Sequence, residues 1–169
     1  LADGAPQLHD EAPGNKIYSW GRGDAEAAEK AIADAPHSVT LELINNRISC
    51  AALETRACLA VPDPAGGTTT FYDATQAPHL IRKSITDALG IPPGEVRVVA
   101  PDVGGGFGTK GKHYPEETIL VWACRRLGRP VRWTSTRSEA FMTDTQARDH
   151  VTTATLGFDS DGVFQGLKV

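Results

Sequence analysis

Four glycines within five residues, Gly104-Gly105-Gly106-Phe107-Gly108, constrain this chain more than any other feature. They follow a short apolar run, Val96 to Ala100, that predicts a strand. They precede Tyr114-Pro115-Glu116-Glu117, where proline and acids in a first turn predict the start of a helix. Glycine admits positive φ and lets another group approach the backbone, but it packs nothing and costs backbone entropy. Such a loop is either a tight turn or a place where backbone N–H groups face an oxyanion, a phosphate or an anionic cofactor. An aromatic inside the run, Phe107, is hard to justify in a plain turn.

The pattern around the loop reads strand–helix–strand–helix–strand. Thr68 to Asp73 is β-prone after the turn Pro62-Asp63-Pro64-Ala65-Gly66-Gly67. Pro78 opens a helix with Leu80, Ile81, Ile85, Ala88 and Leu89 at helical spacing and Gly90 as its stop. The helix from Pro115 ends at Arg125, Arg126 and Gly128, and Pro130 to Thr134 is the next strand. Upstream, Leu1 to Gly23 reads as linker, Asp24 as the N-cap of a helix over Ala25 to Ala35, and Val39 to Ile48 as a strand. Downstream, Val151 to Phe158 and Val163 to Val169 flank Ser160-Asp161-Gly162 as a hairpin. The expected fold class is α+β (mixed α/β), a strand–helix–strand–helix–strand sheet layered with helices and ending in a β-hairpin.

Composition narrows the function. At 169 residues and 40% hydrophobic, the chain is long and apolar enough for a packed core. A net charge of −4 provides no field for nucleic acid or anionic membrane. The longest apolar runs, such as Ile119 to Cys124, fall far short of the roughly 18 residues a membrane span requires. No basic and apolar leader is visible in Leu1 to Pro13. Cys50, Cys58 and Cys124 have no metal-ligand spacing, Cys124 reads as a small core residue, and reduced thiols agree with a cytoplasmic location. The one methionine, Met142, lies deep in a chain that begins at Leu1, which predicts a piece of a longer polypeptide.

Two phosphate motifs nearly fit the loop. Gly106 to Gly111 satisfies GxGxxG, but the helix starts late and Thr118 to Ser138 holds no acid for a ribose. Gly106 to Lys112 satisfies GxxxxGK, but His113 stands where Mg²⁺ binding needs Ser or Thr. A nucleotide- or phosphate-binding α/β module using Gly104–Lys112 is therefore the alternative reading.

A longer set of segments carries a family resemblance. Thr75-Gln76-Ala77-Pro78-His79, then Pro101 to Lys110, then Tyr114-Pro115-Glu116 run in one order. Leu127 to Trp133, Thr136-Arg137-Ser138-Glu139 and Gln146-Ala147-Arg148-Asp149-His150 follow, and Leu8-His9-Asp10, Gly14-Asn15, Gly23-Asp24 and Leu53-Glu54-Thr55-Arg56 precede. Together they resemble the large subunit of the molybdenum hydroxylases, the family of xanthine dehydrogenases, aldehyde oxidases and aerobic carbon monoxide dehydrogenases. Tyr-Pro-Glu-Glu after the loop looks closest to the bacterial carbon monoxide dehydrogenase-like members.

The resemblance implies a molybdopterin cofactor, in its cytosine dinucleotide form, and insertion of water-derived oxygen into CO, an aldehyde or an N-heterocycle. It implies an Fe–S small subunit and a FAD medium subunit as partners, beside the rest of the large subunit. By resemblance, Gln76 hydrogen-bonds an oxo ligand of molybdenum, Gly106 and Gly108 turn backbone amides toward the metal's ligands, and Phe107 lies beside the substrate. No residue of this chain is expected to ligate the metal directly. Gly111 stands where purine-oxidising relatives carry a substrate-contacting Glu, which disfavours a purine. The family's general-base Glu is expected beyond Val169, so the isolated chain is expected to be silent and to retain no cofactor. Domains are expected at 1–48, closing a preceding domain, and 49–169, opening the molybdopterin-binding one. Lys110 is expected to form a salt bridge or face solvent. Arg137, Glu139, Arg148, Asp149 and His150 are read as a structural network at a turn or strand end, and His9, His37 and His79 as surface or capping residues. Glu116 and Glu117 project about 100° apart on a helix and do not read as a catalytic pair.

Overall fold

The computed structural model describes residues 4–169, which divide into two compact units. One unit combines the described residues up to Ile44 with Val151–Val169; the other is Asn45–His150. Among the described residues no helix is long and apolar enough to cross a membrane.

In the first unit, Asp24 caps helix α1 (Ala25–Asp34), its carboxylate accepting from the Ala27 N–H at 3.0 Å, as the sequence predicts. Strand β1 (His37–Asn45) joins β6 (His150–Phe158) and β7 (Phe164–Lys168) in a three-stranded sheet with β6 in the middle. The β6–β7 hairpin turns at Asp159, whose side chain accepts from the N–H groups of Asp161 and Val163. Gly157 and Gly166 face each other across that hairpin, and α1 lies directly on them. A Cβ on Gly157 would come within 2.9 Å of the Ile32 Cα, and one on Gly166 within 3.0 Å of the Ala28 carbonyl oxygen.

The second unit is a four-stranded sheet in the order β4-β3-β2-β5. Here β2 is Ala57–Pro62, β3 Thr69–Asp73, β4 Val96–Val99 and β5 Val131–Thr134. Helix α2 (Pro78–Leu89) crosses from β3 to β4, which pair in parallel, while β2 pairs antiparallel with both β3 and β5. Left-handed glycines end α2 at Gly90 and α3 (Pro115–Leu127) at Gly128. Both helices cover one face of the sheet. Cys58 and Ala60 of β2, Phe71 of β3, Ile81 and Ile85 of α2, and Leu120, Val121 and Cys124 of α3 form one core. Cys124 takes the core position the sequence assigns it.

Two elements escape the sequence pattern. The inner strand β2 reads Ala-Cys-Leu-Ala-Val-Pro, an apolar run without visible alternation, although only Cys58 and Ala60 turn into the core. Helix α4 (Arg137–Thr143) occupies the stretch read as a turn or strand end. Its signal is present in Thr136-x-x-Glu139: the Thr136 hydroxyl accepts from the Glu139 N–H, and the Glu139 carboxylate accepts from the Thr136 N–H.

Candidate functional site

The site is built where the β3–α2 corner meets the glycine loop, all within the second unit. Thr75 ends the corner with its hydroxyl donating to the Lys110 carbonyl at 3.0 Å and accepting from the Ala77 N–H at 3.1 Å. The Gln76 N–H reaches the same Lys110 carbonyl at 2.9 Å. That carbonyl belongs to a single 3-10 turn, Thr109–Gly111, so the corner and the far end of the loop are tied at one oxygen.

Four residues predicted as the site come together. The Gln76 Oε1 accepts from the Gly108 N–H at 3.0 Å. Gly106 lies against the same side chain, where a Cβ would stand 2.4 Å from both Cδ and Oε1 of Gln76. Phe107 adopts φ 51°, a left-handed conformation uncommon for a bulky residue, and the residue is 69% exposed. Gly105 gives this ring room, since its Cβ would meet the Phe107 Cε2 at 3.1 Å. The Phe107 ring also lines an open groove of about 560 Å³ with Ile48, Cys50, Ala51, Ala147 and Arg148. Gly111 closes the 3-10 turn, and a Cβ there would meet nothing within 4 Å.

Because the Gly108 N–H must meet an oxygen, the Gln76 amide is oriented with its NH₂ outward. Among the described residues the N–H groups of Gly106 and Phe107 have no hydrogen-bond partner. The loop therefore presents neutral donors beside an exposed aromatic face, with no carboxylate in the run from Gly104 to Lys112.

A charged layer supports this surface. Lys110 is buried, and its ammonium pairs with the Glu54 carboxylate at 2.8 Å, so the salt-bridge expectation holds and the exposed one does not. Burial opposes ionisation of Glu54, but hydrogen bonds from Lys110 and from the Gly104 N–H outweigh it and lower its pKa. Arg56 is buried beneath, paired with Asp144 at 2.6 Å and Glu116 at 3.3 Å, and its guanidinium lies 3.7 Å from the Tyr114 ring centroid. The Tyr114 hydroxyl donates to the Thr109 carbonyl at 2.8 Å, which links this layer to the loop.

Two buried acids lie deeper. Asp73 continues the inward stripe of Thr69 and Phe71, and Glu117 continues the α3 face of Leu120, Val121 and Cys124. Burial pushes the Asp73 carboxyl up to about 7, against the pull of Arg56 and Lys110, and its Oδ2 has no partner. Burial, reinforced by Asp73, pushes Glu117 up to about 8, although its carboxylate accepts from the Tyr114 N–H. Glu116 instead turns to Arg56, so the two neighbouring acids serve different partners.

Of the remaining sequence candidates, Arg148 lines the Phe107 groove and the others lie apart from the Gln76–Phe107 pair. Arg137 donates to the carbonyls of Ala52 and Leu53, and Asp149 pairs with Arg47. His79 is exposed on α2, and His37 stacks on Phe158 at 5.6 Å. His113 shares a hydrogen with Thr118 at 2.7 Å. In the sequence, Glu54 and Arg56 stand out only within the resembling segment Leu53–Arg56, and the signal that locates Asp73 is the period-2 stripe 69–71–73.

Comparison with known proteins decides the family. The family described as "Molybdopterin cofactor-binding domain" matches residues 8–169. This chain belongs to that family. It is 40% identical over 155 residues to the carbon monoxide dehydrogenase large chain of Hydrogenophaga pseudoflava, covering 92% of this chain and 19% of the relative. It is 36% identical over 140 residues to the 6-hydroxypseudooxynicotine dehydrogenase complex subunit gamma of Paenarthrobacter nicotinovorans, covering 83% and 18%. Among solved structures, reconstituted CO dehydrogenase from Oligotropha carboxidovorans superposes with a TM-score of 0.74 at 34% identity, covering 86% of this chain and 18% of that one. The chain thus spans about a fifth of the length of these relatives.

The donor set fits a molybdenum cofactor. A neutral amide NH₂, two unpaired backbone N–H groups and an aromatic ring suit an anionic, oxygen-rich group better than a bare cation would suit them.

Proposed function

We propose that this chain forms one wall of the cofactor pocket in a molybdenum hydroxylase large subunit. The oxidoreductase would act on CO, an aldehyde or an N-heterocycle with water-derived oxygen, with the cofactor in its cytosine dinucleotide form. When bound, the cofactor supplies the two-electron oxidation. The chain's own residues supply position and polarity. Gln76 offers its NH₂ to an acceptor on the cofactor without bringing a net charge, while Gly108 holds the other end of the amide still. Gly106 keeps the backbone low enough for that amide to lie flat on the loop. Phe107 lays its exposed side chain along one side of the reacting space.

The single observation that carries this reading is the orientation of Gln76, with its oxygen consumed by Gly108 and its NH₂ free. The relatives are named for substrates as unlike as carbon monoxide and 6-hydroxypseudooxynicotine, which supports a class of substrates and not one compound. Fe–S and FAD subunits are the proposed electron partners, the cytoplasm the proposed location, and the isolated chain is proposed to be silent. In the full-length subunit, Gln76→Ala is expected to lower kcat by about 100-fold, the scale of removing one fixed transition-state donor. A turnover within threefold of the parent overturns the pocket reading, and stoichiometric molybdenum on the isolated chain overturns the proposal that the chain alone is silent and retains no cofactor.

A further inference from the structure

The glycine loop is held by a residue that the proposed pocket does not itself use. Glu54 Oε2 accepts from the Gly104 N–H at 2.8 Å and from the Lys110 ammonium at 2.8 Å. The Glu54 N–H donates in turn to the Gly104 carbonyl at 3.1 Å. One carboxylate oxygen therefore joins the first glycine of the loop to the residue that closes it. Gly104 is needed for that approach, because a Cβ there would stand 2.5 Å from the Glu54 Cβ. Lys110 passes the restraint on: its carbonyl carries the hydrogen bonds from Thr75 and from the Gln76 N–H, and Gly108, two residues before it, holds the Gln76 side chain.

We infer that Glu54 and Lys110 form a staple that positions the Gln76 amide and the Phe107 ring by fixing both ends of the glycine loop. A single carboxylate oxygen with two donors, one from a buried ammonium, restrains far more than either bond alone. Neither residue touches the Gln76 side-chain amide, so both act as positioning residues. The inference rests on the pocket reading above for its functional consequence, but the loop restraint itself is independent of any cofactor.

The test uses the full-length subunit with Glu54→Leu, Glu54→Gln and the double variant Glu54→Leu/Lys110→Met. Hydrogen exchange is followed in peptides covering Gly104–Lys110 and, as a control, those covering α2 and α3. Glu54→Leu is expected to speed loop exchange by about tenfold or more while the helices keep their protection, the signature of local rather than global opening. Glu54→Gln, which retains a carbonyl acceptor for the Gly104 N–H, is expected to recover most of that protection. The double variant removes the orphaned ammonium and restores folding yield, but its loop is expected to stay fast. In turnover, Glu54→Leu is expected to lower kcat by about tenfold with KM within threefold, as misplacement of a transition-state donor does. Wild-type loop exchange in Glu54→Leu, or restored loop protection in the double variant, overturns the staple, the latter because Glu54 then only neutralises Lys110. Should Gln76→Ala leave turnover intact while Glu54→Leu still loosens the loop, the pocket reading fails and the staple stands.

Discussion

Two glycine-rich connections in the same unit share glycines at positive φ, but only one of them also uses glycine to make room for side chains. In the turn between β2 and β3, Gly66 and Gly67 both have positive φ, and a Cβ on either would meet nothing within 4 Å. Glycine is needed there for backbone angle alone, while Asp63 closes the turn by accepting from the Ala65 N–H and the Thr68 hydroxyl. In the loop after β4, Gly104 and Gly106 have ordinary φ but sit where side chains of Glu54 and Gln76 press on the backbone. There these two glycines are needed for space, while Gly105 and Gly108 take positive φ. Phe107, the one bulky residue of that loop, takes the left-handed conformation that a glycine would adopt at less cost. A turn serves any sheet, whereas a loop packed on a specific carboxylate and a specific amide serves a surface that must be held still.

This contrast breaks most sharply at Gly106. Gly106→Ala forces the Gln76 amide off the loop, and turnover of the full-length subunit is expected to fall about 100-fold or more, near 2.7 kcal/mol of barrier at about 1.36 kcal/mol per tenfold. The control is Gly67→Ala, which places a Cβ in open space at φ 85°. It is expected to cost about 1–2 kcal/mol of stability in denaturant titration while leaving turnover unchanged. If both variants lose turnover equally, the distinction between space and angle is wrong.

A smaller effect concerns what lies beneath the glycine loop. The loop backs onto Lys110 and the buried acids, and Asp73 holds its proton up to about 7 in the native state against roughly 3.9 unfolded. The native state therefore binds the proton more tightly, so this group makes stability fall as pH rises from about 4 to about 7, and Glu117 extends the fall to about 8. Asp73→Asn keeps the shape without the ionisation. Its melting temperature is expected to exceed the parent's by about 2–4 °C at pH 8, with the gain vanishing toward pH 4. A gain independent of pH would show that the Asp73 proton is not the source.

Much of the local structure is legible in the residues themselves. Asp24 announces α1, Pro78 and Gly90 bracket α2, Pro115 and Gly128 bracket α3, and Asp159 to Gly162 turns the final hairpin. Each of these signals acts within one turn of backbone, so neighbouring residues suffice to read it. The inner strand β2 is not legible in this way, because its partners β3 and β5 and the helices over it determine which of its apolar residues turn inward. The α4 cap at Thr136 was present in the sequence but hidden by the charges that follow it.

The same division holds for the site. The glycine run, the lone aromatic within it and the Gln76 motif are sequence properties, and they suffice to connect the chain with its family. Which glycine makes room for which side chain depends on residues 30 and more positions away, Gln76 against Gly106 and Gly108, Glu54 against Gly104 and Lys110. Likewise, the sequence marks Asp73, Glu116 and Glu117 as acids, but only the packing of α3 on the sheet decides that Glu116 meets Arg56 while Asp73 and Glu117 lose their water. Caps and turns are chosen by local backbone hydrogen bonds, which sequence neighbours supply. Burial, charge pairing and close backbone approach are chosen by contacts between distant segments, and those exist only once the sheet and its helices have closed on one another.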